Sequence, residues 1–248
     1  MTRSPLSRRS VLGTIGAGTL ASLAGCSNIL GGSGGSASDG NTYLDAKDWG
    51  GNADALPFPT HGDKVPSASV PAALADETRS IPDDYAGQDL VMTFIYTYCQ
   101  TMCPRLTAIL EGVQDHAIEN DYADSVAFAE ITFDPARDDA ERFREYAESY
   151  NVDLDTGTWE YLRPENKQRA KEVVQETYGV SFTKTTPQNM DMYMFAHSGV
   201  VLLANKQGYV ERTYKLSAAS GGSESTQSDT VTWRDVQSDL ATLREREE

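Results

Sequence analysis

Cys99 and Cys103, four residues apart and followed at once by Pro104, are the residues of this chain best suited to chemistry. Such a pair can close a disulfide, attack one as a thiolate, or share one soft metal ion. Haem attachment needs Cys-x-x-Cys-His, which is absent, and a structural zinc would want four ligands, usually with a second cysteine pair. Two merely buried cysteines are the plain alternative, because free cysteine is among the most buried residue types. Their position speaks against it. Residues 91–96, Val-Met-Thr-Phe-Ile-Tyr, read as a strand buried on both faces, and Pro104 marks the first turn of a helix, where a missing N–H is no loss. Cys103 then sits at or next to the helix N-cap, where the helix end favours a thiolate, with Cys99 in the loop just above it.

A third donor is available in Phe195-Ala196-His197-Ser198, which stands immediately before another hydrophobic run. Alone, His197 reads equally well as a satisfied core residue. With the cysteines it completes a soft Cys, Cys, His set that suits Cu(I), with room for a further ligand as Cu(II). The other two histidines carry less: His61 reads as a solvated loop residue and His116 as a half-buried or surface helix residue. Met102 lies between the cysteines, and Met190, Met192 and Met194 alternate just before His197. Gap-filling methionines at strand spacing explain these. A thioether path for Cu(I) is the functional alternative.

The elements that must position these residues follow from periodicity. Leu106, Ile109, Leu110 and Val113 give a helix near 104–120, and Val126 to Phe133 a second buried strand ending at Asp134-Pro135. Phe143, Tyr146, Ala147 and Tyr150 give a second helix, Trp159 and Tyr161 a short strand, and Ala170, Val173, Val174 and Thr177 a third helix. The run from Gly199 to Ala204, a turn at 205–208 and an alternating strand through Tyr214 form an antiparallel hairpin. Residues 217–230 are a polar insertion, and Trp233, Val236, Leu240 and Leu243 mark a closing helix over 231–245. Residues 41–88 predict irregular structure with one hairpin at most. Strands alternating with helices, then a hairpin and a helix, imply an α/β three-layer sandwich with a central mixed β-sheet. Cys99 follows one parallel strand and Asp134 ends the next, so both belong on one rim.

The N-terminus is not part of that core. Arg3, Arg8 and Arg9 precede an acid-free apolar run from Val11 to Leu23, the layout of an export signal, and this run of about 13 residues is short of the roughly 20 needed to span a bilayer. Ser7-Arg8-Arg9-Ser10-Val11-Leu12 resembles a twin-arginine signal, and Leu23-Ala24-Gly25-Cys26 resembles a lipobox. Residues 1–25 are therefore expected to be a signal peptide, and Cys26 a lipidated residue opening a Gly/Ser tether over 26–40. The domain of 41–248, with its core at about 90–215, is expected at the outer face of the cytoplasmic membrane. With Cys26 in the anchor, only Cys99 and Cys103 of the three cysteines remain, so no structural disulfide is expected. Three of the 21 basic groups fall in 1–25, which leaves 18 against 37 acidic groups, a formal −19. That excess excludes nucleic acid as a partner and is the kind of surface halophiles use, where salt screens self-repulsion.

Residues 90–215 resemble the Sco/SenC copper chaperones of the thioredoxin-like superfamily. The carriers are Phe94-Ile95-Tyr96-Thr97-Tyr98-Cys99 with Cys103-Pro104, Thr132-Phe133-Asp134-Pro135-Ala136-Arg137-Asp138, and His197-Ser198 before a hydrophobic strand. The resemblance implies a thioredoxin-like fold, one copper ion on Cys99, Cys103 and His197, and help in assembling the binuclear copper centre of a haem-copper oxidase. The family usually has Pro-Asp where this chain has Gln100-Thr101, and commonly an acid where it has Ala196. Asp134 is expected either to orient a ligand from the second layer or to cap its own turn.

Two functions follow. One is delivery of copper to the copper-binding subunit of the oxidase; the other is a thiol–disulfide reductase that keeps that subunit's cysteines reduced. A peroxiredoxin-like peroxidase is a weaker third. Copper delivery needs His197 and disulfide exchange does not, so the histidine favours copper.

Overall fold

The computed structural model describes residues 40–47, 53–188, 192–216 and 231–247, which fall in one compact unit, Gly35–Glu248. The expected signal peptide, Cys26, nearly all of the tether, Met190 and the polar insertion at 217–230 lie outside the described residues. None of the described helices is long and apolar enough to cross a membrane.

A hairpin of β1 (Ala68–Pro71) and β2 (Thr78–Ile81) precedes the core. Next come β3 (Asp89–Ile95), α1 (Cys103–Glu119), β4 (Val126–Thr132), α2 (Ala140–Ser149) and β5 (Trp159–Leu162). These build two parallel pairings, β3 with β4 and β4 with β5. All seven residues of β3 and all seven of β4 are buried, as largely apolar strands in a sheet covered on both sides are, with Asp89, Thr93, Glu130 and Thr132 enclosed among them. α1 buries Leu106, Ile109, Leu110 and Val113 against β3, β4 and β8. Each such side chain contributes roughly 1.5–3 kcal/mol when fully buried. α2 starts at Asp139, whose carboxylate accepts the Arg142 N–H as an N-cap.

The third helix, α3, opens as an α-helix over Lys167–Ala170 capped by the Asn166 side chain and winds on as a π-helix over Lys171–Thr177. A ribbon follows that the sequence did not suggest: β6 (Phe182–Thr185) pairs antiparallel with β7 (Met194–His197), separate from the main sheet. β8 (Gly199–Ala204) and β9 (Val210–Leu216) then form the expected hairpin, with β8 antiparallel to β3. The sheet order is β5-β4-β3-β8-β9, two parallel and two antiparallel pairings, and α4 (Trp233–Glu247) packs on α1. This is the mixed central sheet with flanking helices of a thioredoxin-like α/β fold. The C-terminal ends of β3 and β4 share one rim, where the Phe133 N–H donates to the Ile95 carbonyl.

Candidate metal centre

The rim holds Cys99, Cys103 and His197 together: one donor atom from each lies within 4.8 Å of the others. Cys103 is the first residue of α1, with Pro104 in its first turn, so its N–H has no partner inside the helix and donates to Cys99 Sγ at 3.4 Å. Both cysteines are free thiols and buried, Cys99 6% exposed and Cys103 fully enclosed. His197 ends β7 and brings Nε2 to 3.4 Å from Cys103 Sγ and 3.7 Å from Cys99 Sγ. Its Nδ1 lies 3.2 Å from the Ser198 carbonyl, an acceptor only, so Nδ1 carries a hydrogen and Nε2 faces the sulfurs, where it donates to a thiolate when it too carries a proton and offers its lone pair to a metal when it does not.

The two thiols differ. The Cys103 thiol beside it holds Cys99 well below the ordinary thiol range, at about 3, with help from His197 and from the N–H groups of Cys103 and Thr101. Burial pushes the Cys103 thiol well up. One negative charge therefore rests on the pair and sits on Cys99. Beneath α1, Glu130 is fully buried with Thr107 donating to it at 2.8 Å, and burial pushes its carboxyl up to about 8. It is neutral at pH 7.

Three networks fix the donors. Asp138, buried, accepts from the N–H and hydroxyl of Thr97 and from the Thr132 hydroxyl, tying the loop that carries Cys99 to the end of β4. Arg142 on α2 donates to the Thr97 hydroxyl and carbonyl. The ribbon is held by Asp134, which accepts from the Tyr193 hydroxyl at 2.8 Å and pairs with Arg137 at 2.5 Å, while Arg137 donates to the Tyr193 carbonyl and lies on the Tyr193 ring. Asp134 makes no hydrogen bond to Cys99, Cys103 or His197 among the described residues; it acts on the histidine's strand. The Tyr96 hydroxyl accepts the Phe195 N–H, and the His197 ring packs 5.1 Å from Phe133 and 5.9 Å from Tyr96.

Asp138, Arg142 and Tyr193 were not singled out in the sequence. Only the run Thr132 to Asp138 signalled the first of them. His61 donates from Nε2 to the Leu44 carbonyl and His116 Nδ1 hydrogen-bonds to the Tyr122 hydroxyl, both away from the centre. Met102 is buried and packs so closely on Gly199 that a Cβ there would meet its sulfur at 2.8 Å. Met194 faces the Tyr96 hydroxyl, whereas Met192 is 42% exposed and lines a cavity of about 230 Å³ together with Cys99.

The family profile described as SCO1/SenC matches residues 74–226. A comparison with the curated proteins finds no match. Among solved structures, Arabidopsis thaliana ScoI with copper bound is 18% identical, over 73% of this chain and 99% of that one, with a TM-score of 0.55. A SCO1/SenC family lipoprotein from Bacillus anthracis str. Ames is 20% identical over 76% of this chain and 96% of that one, at a TM-score of 0.54. BsSco, a member of the Sco family of cytochrome c oxidase assembly proteins in which a disulfide switch was identified, is 20% identical over 75% and 95%, at 0.53. At these identities the likeness is one of fold.

Proposed function

The chain belongs to the SCO1/SenC family, and from that premise we propose that it carries one copper ion on Cys99, Cys103 and His197 and passes it to the copper-binding subunit of a haem-copper oxidase. The observation that carries this reading is the convergence of two sulfurs and an imidazole nitrogen within 4.8 Å. The set fits copper chemically: two soft sulfurs suit Cu(I), and the nitrogen adds the harder donor that Cu(II) favours. Delivery is ligand exchange. The recipient's donors replace His197 and the two sulfurs in turn, after which Cys103 takes up a proton and Cys99 stays a thiolate.

The second reading is a thiol–disulfide reductase, favoured by the thiolate at Cys99 beside a buried Cys103 thiol. Cys99 would attack one sulfur of a target disulfide, breaking that bond, forming a mixed disulfide and releasing the other sulfur as a thiolate. Cys103 would then lose its proton and attack Cys99, freeing a target dithiol and leaving a Cys99–Cys103 disulfide, two electrons having passed to the target.

Protein isolated without oxygen from its own host is expected to carry close to one copper per chain, with both thiols shielded from alkylation. A copper-free chain holding a Cys99–Cys103 disulfide, and taking up no copper after reduction, would move the assignment to the reductase.

The site must work outside the cytoplasm, and the Leu23-Ala24-Gly25-Cys26 lipobox supports a lipid anchor on the outer face of the cytoplasmic membrane. Cys26→Ser is expected to move the protein from the membrane to the soluble fraction; retention on the membrane rejects the anchor.

A further inference from the structure

A second feature lies on the ribbon that presents His197. Between α3 and β6 runs a cleft of about 510 Å³ lined by Lys167, Gln168 and Lys171 of α3, by Phe182, Thr183 and Lys184 of β6, and by Phe195. Three of the chain's seven lysines meet here, on a molecule with 37 acidic against 21 basic side chains. All three lysines are exposed. Lys171 reaches Glu176 at 3.5 Å, and Lys184 lies over the Tyr193 ring at 3.6 Å, but neither Lys167 nor Lys184 makes an ion pair among the described residues. Their charge is left for something that comes to the cleft.

The shape says what kind of ligand that is. Phe182, Thr183 and Lys184 are consecutive strand residues, whose side chains alternate between faces, yet all three line the cleft. The cleft therefore runs along the edge of β6, and β6 pairs only with β7 among the described residues. A free strand edge is a template for an extended polypeptide, with backbone hydrogen bonds supplying affinity and side-chain pockets specificity. The aromatic residues are half-buried and recessed, whereas binding to a lipid surface calls for projecting apolar groups.

The cleft also leads to the metal centre. A smaller recess of about 110 Å³ shares Lys167, Lys184 and Phe195 with it and reaches Phe133, whose ring stacks on Phe182 at 4.9 Å and touches the His197 ring at 5.1 Å. Phe182 itself pairs with His197 across the ribbon.

We propose that an extended acidic segment of the protein that exchanges copper with this chain docks in this cleft by adding alongside β6. Acidic groups meet Lys167, Lys171 and Lys184, and an apolar side chain rests on Phe182 and Phe195. Only the identity of the partner rests on the copper-carrier reading; the cleft and its ligand chemistry do not.

The probe is a capped, fluorescent decapeptide, Glu-Val-Asp-Phe-Glu repeated twice, titrated into the full chain by anisotropy at the lowest salt in which the protein stays folded. Charge reversal of Lys167, Lys171 and Lys184 to glutamate is expected to weaken binding at least tenfold, and replacement of all three by glutamine to weaken it less. Both variants should keep the Cu(II) absorbance of the parent. Equal affinity of parent and reversed variant would overturn the proposal. So would a peptide with Gln and Asn in place of the acids binding as tightly as the acidic one. Loss of binding to phosphatidylglycerol vesicles with peptide affinity unchanged would also overturn it, and would assign the cleft to lipid. A parent that shows no Cu(II) absorbance at all strikes the copper reading, and peptide affinity still decides the cleft.

Discussion

His197→Ala is expected to abolish the sulfur-to-Cu(II) charge-transfer absorbance, lowering Cu(II) affinity by at least about a hundredfold, while the Cys99–Cys103 couple survives. Nε2 faces both sulfurs, and changes even to groups behind a metal ligand typically cost 10–100-fold, so removing the ligand itself should do no less. Two thiolates remain, which still hold Cu(I). The imidazole contributes no electrons to disulfide exchange, so a reductase working through Cys99 and Cys103 should keep its two-electron chemistry. Folding should survive as well: His197 is half-buried, and water can fill the space left beside Phe133 and Tyr96. The deciding measurement sets visible spectra of the copper-loaded variant beside its ability to restore oxidase assembly in a strain lacking the protein. If the variant restores assembly as well as the parent while Cys99→Ser does not, His197 is no copper ligand and the reductase reading takes its place.

All three donors were named from the sequence, but only the cysteine pair was also placed by it, because that part of the centre is local. Val91 to Tyr96 is a continuous apolar run, Pro104 fixes the helix start, and together they place Cys99 and Cys103 without any long-range information. The stripe of α1, the buried run of β4 and the β8–β9 hairpin were readable for the same reason. His197 was readable only as a residue ahead of a strand. In the structure it belongs to a ribbon of its own, and β6, Phe-Thr-Lys-Thr, is half-buried at one residue and exposed at three, so it carries no alternation to detect. What brings β7 to the rim is non-local: Asp134 and Arg137 hold Tyr193, and Tyr96 holds Phe195. Asp134 illustrates the limit. Its place on the rim followed from the end of β4, but its partner Tyr193, 59 residues away, could not be found from spacing. Asp138, enclosed at the loop base by Thr97 and Thr132, reads in the sequence as one more loop acid.

The second large effect is expected at Cys103, and it tests how the pair divides its charge. In the metal-free, reduced parent, Cys99 is held at about 3 first by the Cys103 thiol, then by His197 and the N–H groups of Cys103 and Thr101. Its alkylation by iodoacetamide should therefore be nearly independent of pH from about 5 to 8, because the thiolate is already formed throughout that window. Cys103, fully enclosed and pushed upward by burial, should remain unmodified in the same samples. Cys103→Ala removes the largest of the stabilising contacts but leaves the imidazole on the ribbon and the backbone N–H groups of residue 103 and Thr101. The midpoint for Cys99 should rise by about one to two units yet stay well below the ordinary thiol value near 8.5, so the rate at pH 5 should fall, by about twofold for a two-unit rise, while the rate at pH 8 stays unchanged. The same variant loses the disulfide couple outright and leaves copper only one sulfur and one nitrogen. An unchanged alkylation profile would mean that His197 and the helix start hold the thiolate without the second thiol. Equal alkylation of Cys99 and Cys103 in the parent would remove the asymmetry itself, and with it the assignment of Cys99 as the attacking sulfur.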